Sequence, residues 1–238
     1  MTGRQNAFVR RVVLGVALIV LLTTGAFAAG ASTSGNARTR GLVLFVGDSN
    51  VTISAGVIDA QLTYWEHHDN GYVPVFASRV GASIRSPDCL DPNCSTFNYW
   101  KLKRSTILPK LDADAIVNDL GINDTAFEGS AGTPGYAGYG VKIDWFMGLV
   151  GDKPVFWTLL PCAIEPPARE VGCKRVNAAL SQAAERWPNL VVLAWNAVAN
   201  DHPEYMSSPG SSVHYSAEGR WAWTRFVVDE LDARFPAP

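Results

Sequence analysis

The clearest pattern in the chain is an unbroken apolar run, Leu42-Val43-Leu44-Phe45-Val46, that ends abruptly in Gly47-Asp48-Ser49-Asn50. Runs of this kind belong to strands buried on both faces, as in parallel sheets. Comparable runs return at residues 72–77, 115–120, 154–160 and 190–195. Pro74, inside the second, suits a strand at a sheet edge or a place early in a strand, because proline cannot donate to a ladder. Between the runs the apolar spacing changes to a helical one. Ile53, Val57, Ala60, Leu62 and Tyr64 give residues 51–65 an apolar face, and Phe97, Trp100, Leu102 and Ile107 do so for residues 95–111. A short helix over 141–150 carries Trp145 and Phe146. Val176, Ala179, Leu180, Ala183 and Ala184 mark a helix over 174–187. The last helix is capped by Ser216 and runs through Trp221, Phe226, Val227, Leu231 and Phe235. Residues 125–140 and 196–213, rich in Gly, Pro and small residues, read as loops. Strands alternating with helices predict an α/β fold, a parallel sheet of about five strands covered on both faces.

The first residues follow a different rule. Arg4, Arg10 and Arg11 precede an apolar stretch from Val12 to Leu22, and Ala26-Phe27-Ala28 has the small residues of an export cleavage site. Residues 1–28 therefore read as a signal peptide, 29–40 as a flexible leader and 41–238 as one domain. The apolar stretch is short for a membrane anchor and runs into Thr23, Thr24 and Gly25. Removing the segment takes three arginines and no acid, so the formal charge moves from -2 to -5. No basic block interleaved with aromatics is present, so nucleic acid is not an expected partner.

The four cysteines fit an oxidising compartment. Of three pairings, the two local ones, Cys89–Cys94 and Cys162–Cys173, are the simplest, and each would pin a loop. Their spacings suit zinc poorly. Glu66-His67-His68-Asp69 suits it no better, since adjacent side chains diverge on helix or strand. No metal and no cofactor are expected.

Chemistry enters where the strands end. Ser49 follows the first strand, Gly81 the second and Asn123, in Gly121-Ile122-Asn123-Asp124, the third. Ligands of open α/β sheets sit at this carboxyl edge. A serine there is a nucleophile only if a base and oxyanion donors accompany it. His214, ending the last long connection, supplies the base. The backbone N–H groups of Ser49 and Gly81 and the side-chain amide of Asn123 supply the donors. Read singly, each residue has a plainer use: a helix cap at Asp48 or Ser49, a turn glycine, a turn asparagine, a surface histidine. Trp65, Trp100, Tyr136 and Tyr139 offer pocket walls or core.

Taken together these positions resemble the SGNH/GDSL hydrolases. Gly47-Asp48-Ser49-Asn50 is similar to that family's Gly-Asp-Ser block, Gly81 to its second-block glycine, Gly121-Ile122-Asn123-Asp124 to its Gly-x-Asn-Asp block, and Val213-His214 to its histidine block. The resemblance spans residues 41–235. It implies a flavodoxin-like three-layer α/β/α sandwich and a metal-free serine hydrolase. The implied reaction is cleavage of carboxylic esters as an esterase, lipase or carbohydrate O-deacetylase. The partner is then a small-molecule, lipid or glycan ester, met by a monomer that is secreted or held at the cell envelope. One position departs from the pattern. The family has Asp three residues before the histidine, and here Ser211 stands there. A carboxylate at that point orients the imidazole and stabilises its charged form. Its replacements are a backbone carbonyl, the Ser211 hydroxyl, or Asp201 or Glu204 from the preceding loop. Two further readings stay open: an O-acyltransferase on envelope glycans, and a non-catalytic domain that binds glycan or lipid.

Overall fold

The computed structural model describes residues 41–64, 72–84, 112–128, 138–208 and 213–234. All lie in the larger of the two units into which the chain divides, Ala37–Pro238. The strands are β1 (Gly41–Gly47), β2 (Tyr72–Ser78), β3 (Ala115–Asn118), β4 (Val155–Thr158) and β5 (Leu190–Leu193). They pair in parallel in the order β2-β1-β3-β4-β5. The fold is the expected α/β one. Pro74 sits in the edge strand β2, opposite Val43, where its missing N–H is tolerated.

Side chains alternate across the sheet. From β1, Leu44 and Val46 join Ile116 of β3 and Trp157 of β4 on one face. There they meet Ile143, Phe146 and Met147 of α3 (Tyr139–Val150) and Val176, Leu180 and Ala183 of α4 (Pro167–Ala184). Val43, Phe45, Val117 and Phe156 line the other face. They pack against Val51, Ile58 and Leu62 of α1 (Ser49–Tyr64) and Trp223, Val227, Val228 and Leu231 of α6 (Ala217–Arg234). The result is three layers with apolar interfaces above and below the sheet. A single helical turn, α2 (Thr125–Glu128), follows the β3 loop, and α5 (Trp195–Asp201) follows β5 directly.

Several local expectations are corrected. In α1, Ile53 is 42% exposed, while Ser54 and Gln61 are buried beside Val51, Ile58 and Leu62. The helix starts at Ser49, and packing against the sheet and α6 takes Val51, Ile58 and Leu62, so tertiary contact rather than apolar spacing decides which face turns inward. In α6, Trp221 faces outward and Trp223 inward. Helix α4 begins at Pro167, so Cys173 lies within it rather than before it. The stretch after β5 is also more ordered than its composition suggests. Trp195 to Asp201 is helical, and Pro203–Tyr205 forms a 3-10 turn. Tyr139 is core: it is buried, and its hydroxyl donates to the Leu120 carbonyl at 3.3 Å.

The Cys162–Cys173 disulfide is present and ties the loop after β4 to α4. The expectations for residues 1–40, the 66–69 cluster, Cys89–Cys94, the 95–111 helix, Trp65, Trp100, Tyr136, Ser211 and Phe235 lie outside the described residues. Among the described residues no helix is long and apolar enough to cross a membrane.

Candidate active site

The strand order reverses between β1 and β3, and at such a switch point the carboxyl ends of neighbouring strands open a crevice. β1 delivers Asp48, Ser49 and Asn50 to it, and β3 delivers Asn123 and Asp124. Asp48 is the helix cap: its Oδ1 accepts the backbone N–H of Asn50 at 2.9 Å. That leaves Ser49 as the first residue of α1. Backbone N–H groups in this turn have no intrahelical acceptor, and the helix end carries positive potential.

His214 meets Ser49 from the far end of the chain, with Nε2 3.0 Å from Oγ. This is hydrogen-bonding distance, the geometry that proton transfer between a hydroxyl and an imidazole requires. The imidazole is held on a short segment stitched to its surroundings. The His214 carbonyl accepts from Ser207 N at 2.9 Å, Ser216 N donates to the Tyr205 carbonyl at 2.8 Å, and Met206 and Tyr215 form an antiparallel bridge. Ser216 then caps α6, its hydroxyl accepting from Gly219 N at 3.0 Å. Glu204 is directed elsewhere, with Oε1 2.8 Å from Nδ1 of His202. Asp201 ends α5 on the surface.

Asn123 joins the turn after β1 to the loop after β2. Its Nδ2 donates to Asp48 Oδ2 at 3.2 Å and to the Ala82 carbonyl at 3.0 Å. Asp124 grips the same loop through Ile84 N, 3.0 Å from Oδ2, and faces Lys142 across 3.6 Å. The loop turns at Gly81, where φ is +75°. This left-handed conformation suits glycine and leaves the residue exposed. Further in, Leu120 is fixed from both sides. Its carbonyl accepts from Trp157 Nε1 at 2.9 Å as well as from Tyr139. Arg169 of α4 pins the turn by donating to Thr125 Oγ1 and the Ile122 carbonyl.

Three residues that sequence reasoning left without a role belong to this site. Asp119, fully buried beneath it, accepts hydrogen bonds from Thr158 Oγ1 and, at 3.4 Å, from the Tyr215 hydroxyl. Burial pushes its carboxyl up to about 7 against the pull of those two donors. Burial also holds Asp48 well above the ordinary carboxylate range, helped by the nearby charges of Asp119 and Asp124 and opposed by the Asn50 N–H. Tyr215 is raised by burial and then by Asp119 and Asp48. The available signal was a pair of polar residues, Asn118 and Asp119, inside an otherwise apolar strand run. The third residue is Asn50, treated below. A cleft of about 300 Å³, lined by Cys162, Ile164, Lys174, Asn200 and Met206, adjoins the histidine segment through Met206.

No family model and no curated protein sequence matches the chain. Solved structures do match it in fold. A lipase/acylhydrolase from Enterococcus faecalis superposes with a TM-score of 0.60 at 16% identity, over 81% of this chain and 96% of that one. The catalytic domain of the peptidoglycan O-acetyltransferase OatA from Streptococcus pneumoniae gives 0.59 at 14% identity, over 82% and 95%. An acetylxylan esterase from Geobacillus stearothermophilus gives 0.59 at 16%, over 80% and 94%. The chain thus shares its α/β fold with lipase/acylhydrolase, O-acetyltransferase and acetylxylan esterase structures.

Proposed function

We propose that the chain is an exported serine hydrolase that cleaves carboxylic esters through an acyl-enzyme on Ser49. The observation that carries this is the 3.0 Å approach of His214 Nε2 to Ser49 Oγ at the sheet's switch point. His214 takes the Ser49 proton as Oγ attacks the ester carbonyl. The resulting oxyanion is received by the N–H groups of Ser49 and Gly81 and by Asn123 Nδ2. Asn123 enters this role by giving up one resting bond, and the longer of the two is the 3.2 Å bond to Asp48. Collapse of the intermediate breaks the ester C–O bond, and His214 returns the proton to the departing alcohol. Water, deprotonated by His214, then attacks the acyl-Ser49 carbonyl and releases the carboxylic acid. The Cys162–Cys173 bond supports export, because such bonds persist in oxidising compartments.

Up to the acyl-enzyme the same steps serve an O-acyltransferase, in which a glycan hydroxyl replaces water. The likeness to the OatA catalytic domain favours keeping that reading second. A non-catalytic binding domain is the third reading, favoured by Ser211 at the position where the resemblance implies Asp. Hydrolysis of p-nitrophenyl acetate and labelling by a fluorophosphonate test the first reading. Ser49→Ala is expected to lower kcat by at least about 10³-fold and to abolish labelling. Unchanged esterase activity in Ser49→Ala would end the assignment.

A further inference from the structure

Asn50 is buried, at 3% exposure, directly after the proposed nucleophile. Its side-chain amide makes two hydrogen bonds to the opposite end of the chain. Nδ2 donates to the Val213 carbonyl at 3.0 Å, and Oδ1 accepts from Tyr215 N at 3.2 Å. These two backbone groups flank His214 on either side. In a parallel ladder one residue's N–H and C=O reach the carbonyl and the N–H that flank a single partner residue. The Asn50 amide reproduces that arrangement with a side chain. The other edge of the same segment is paired conventionally, to Tyr205, Met206 and Ser207. The histidine segment is therefore held like the middle strand of a three-stranded patch, with one strand replaced by a single amide.

We propose that Asn50 is a positioning residue for the Ser49–His214 pair. The inference rests on the ester-cleaving reading given above. Ser49 and Asn50 are consecutive on the rigid first turn of α1, and Asn50 grips the two neighbours of His214. Any displacement of the histidine segment relative to Ser49 must stretch one of these two bonds. The imidazole is thereby registered on Oγ through its backbone, a means distinct from a carboxylate acting on its ring. Only an amide of this length donates and accepts at once here. Aspartate keeps the acceptor for Tyr215 N and loses the donor to Val213 O. Leucine, of similar size, loses both. The buried amide is in turn satisfied by these contacts, as a polar group removed from water must be.

The test compares wild type, Asn50→Leu and Asn50→Asp in full-length protein. Steady-state p-nitrophenyl acetate kinetics and fluorophosphonate labelling rates are read beside the ¹⁵N signal of the His214 ring. Losing one or two hydrogen bonds should lower kcat by about 10- to 100-fold, with KM within about twofold, because the nucleophile–base geometry is altered rather than the substrate contacts. The labelling rate should fall in parallel. The His214 Nε2 signal should lose the shift that Ser49→Ala also removes. Asn50→Asp decides the question if Asn50→Leu does not fold. A kcat within about twofold of wild type, a change confined to KM, or an unaltered His214 ring signal in the folded variant overturns the proposal. If wild type neither hydrolyses nor labels, the ester-cleaving reading fails instead. The ring signal then still decides whether Asn50 places the imidazole.

Discussion

Asp119 offers the sharpest thermodynamic test of the structure. Its carboxyl is fully buried and pushed up to about 7, against an ordinary value of 3.8. In the unfolded chain it ionises near the lower value, and in the folded protein it keeps its proton until the higher one. Between them the unfolded state binds fewer protons, so stability falls as pH rises. The contribution is complete below about pH 4 and lost as pH passes about 7. At about 1.4 kcal/mol per pH unit, the full loss is on the order of 4 kcal/mol. Asp119→Asn removes the titration and keeps the packing. Thr158 Oγ1 and the Tyr215 hydroxyl both reach Oδ1, the atom that an amide carbonyl replaces. The new NH₂ must find an acceptor, at a cost of about 1–3 kcal/mol if it finds none. The variant should therefore be less stable than wild type at pH 4 by up to that amount, and more stable at pH 8 by roughly 1–3 kcal/mol. Urea unfolding at pH 4, 6 and 8 measures this. Tryptophan fluorescence is a suitable signal, because Trp195 and Trp223 contact the Tyr215 ring at 5.8 and 6.1 Å. Parallel stability–pH curves for variant and wild type would refute the reasoning.

Two further outcomes follow from the geometry. Replacing Cys162 and Cys173 together by serine opens a loop with a sequence separation of 11. It should lower stability by about 3 kcal/mol on the chain-entropy model, and a loss below about 1 kcal/mol in chemical denaturation would contradict that model here. Gly219→Ala would place a Cβ 2.0 Å from the Tyr205 carbonyl oxygen. Moving α6 off that turn should lower stability by roughly 1–3 kcal/mol. It should also lower esterase activity, since Tyr205 to Ser207 pair with the histidine segment. A variant as stable and as active as wild type would show that the turn yields freely.

The succession of strands along the chain was legible because buried parallel strands write long apolar runs, and Pro74 fitted either an edge or an early position, of which the structure shows the edge. Ser49 and His214 drew notice because one follows such a run and the other precedes a cap, and the structure places the two side chains 3.0 Å apart. The helix faces were less so. In α1 the apolar count favours Ile53 and Val57, yet Ser54 and Gln61 are buried, because packing on the sheet and α6 takes the face of Val51, Ile58 and Leu62. Helix α5 was hidden by its length, a bare seven residues with little periodicity. Asn50 and Asp119 were missed for a different reason. Their partners, Tyr215 for both, lie 165 and 96 residues away, and no local pattern encodes such pairings.

That separation has a kinetic meaning. The contact between Ser49 and His214 closes 165 residues of chain, and α1 packs directly on α6. Closing so long a stretch of chain carries an entropy cost, and folds rich in such contacts form slowly. A chain leaving the ribosome carries Ser49 from the first strand onward but brings His214 beside it only once the segment before α6 has been made. Under the proposed function, ester cleavage would therefore require both ends of the domain at once, and its appearance during refolding would report when they have met.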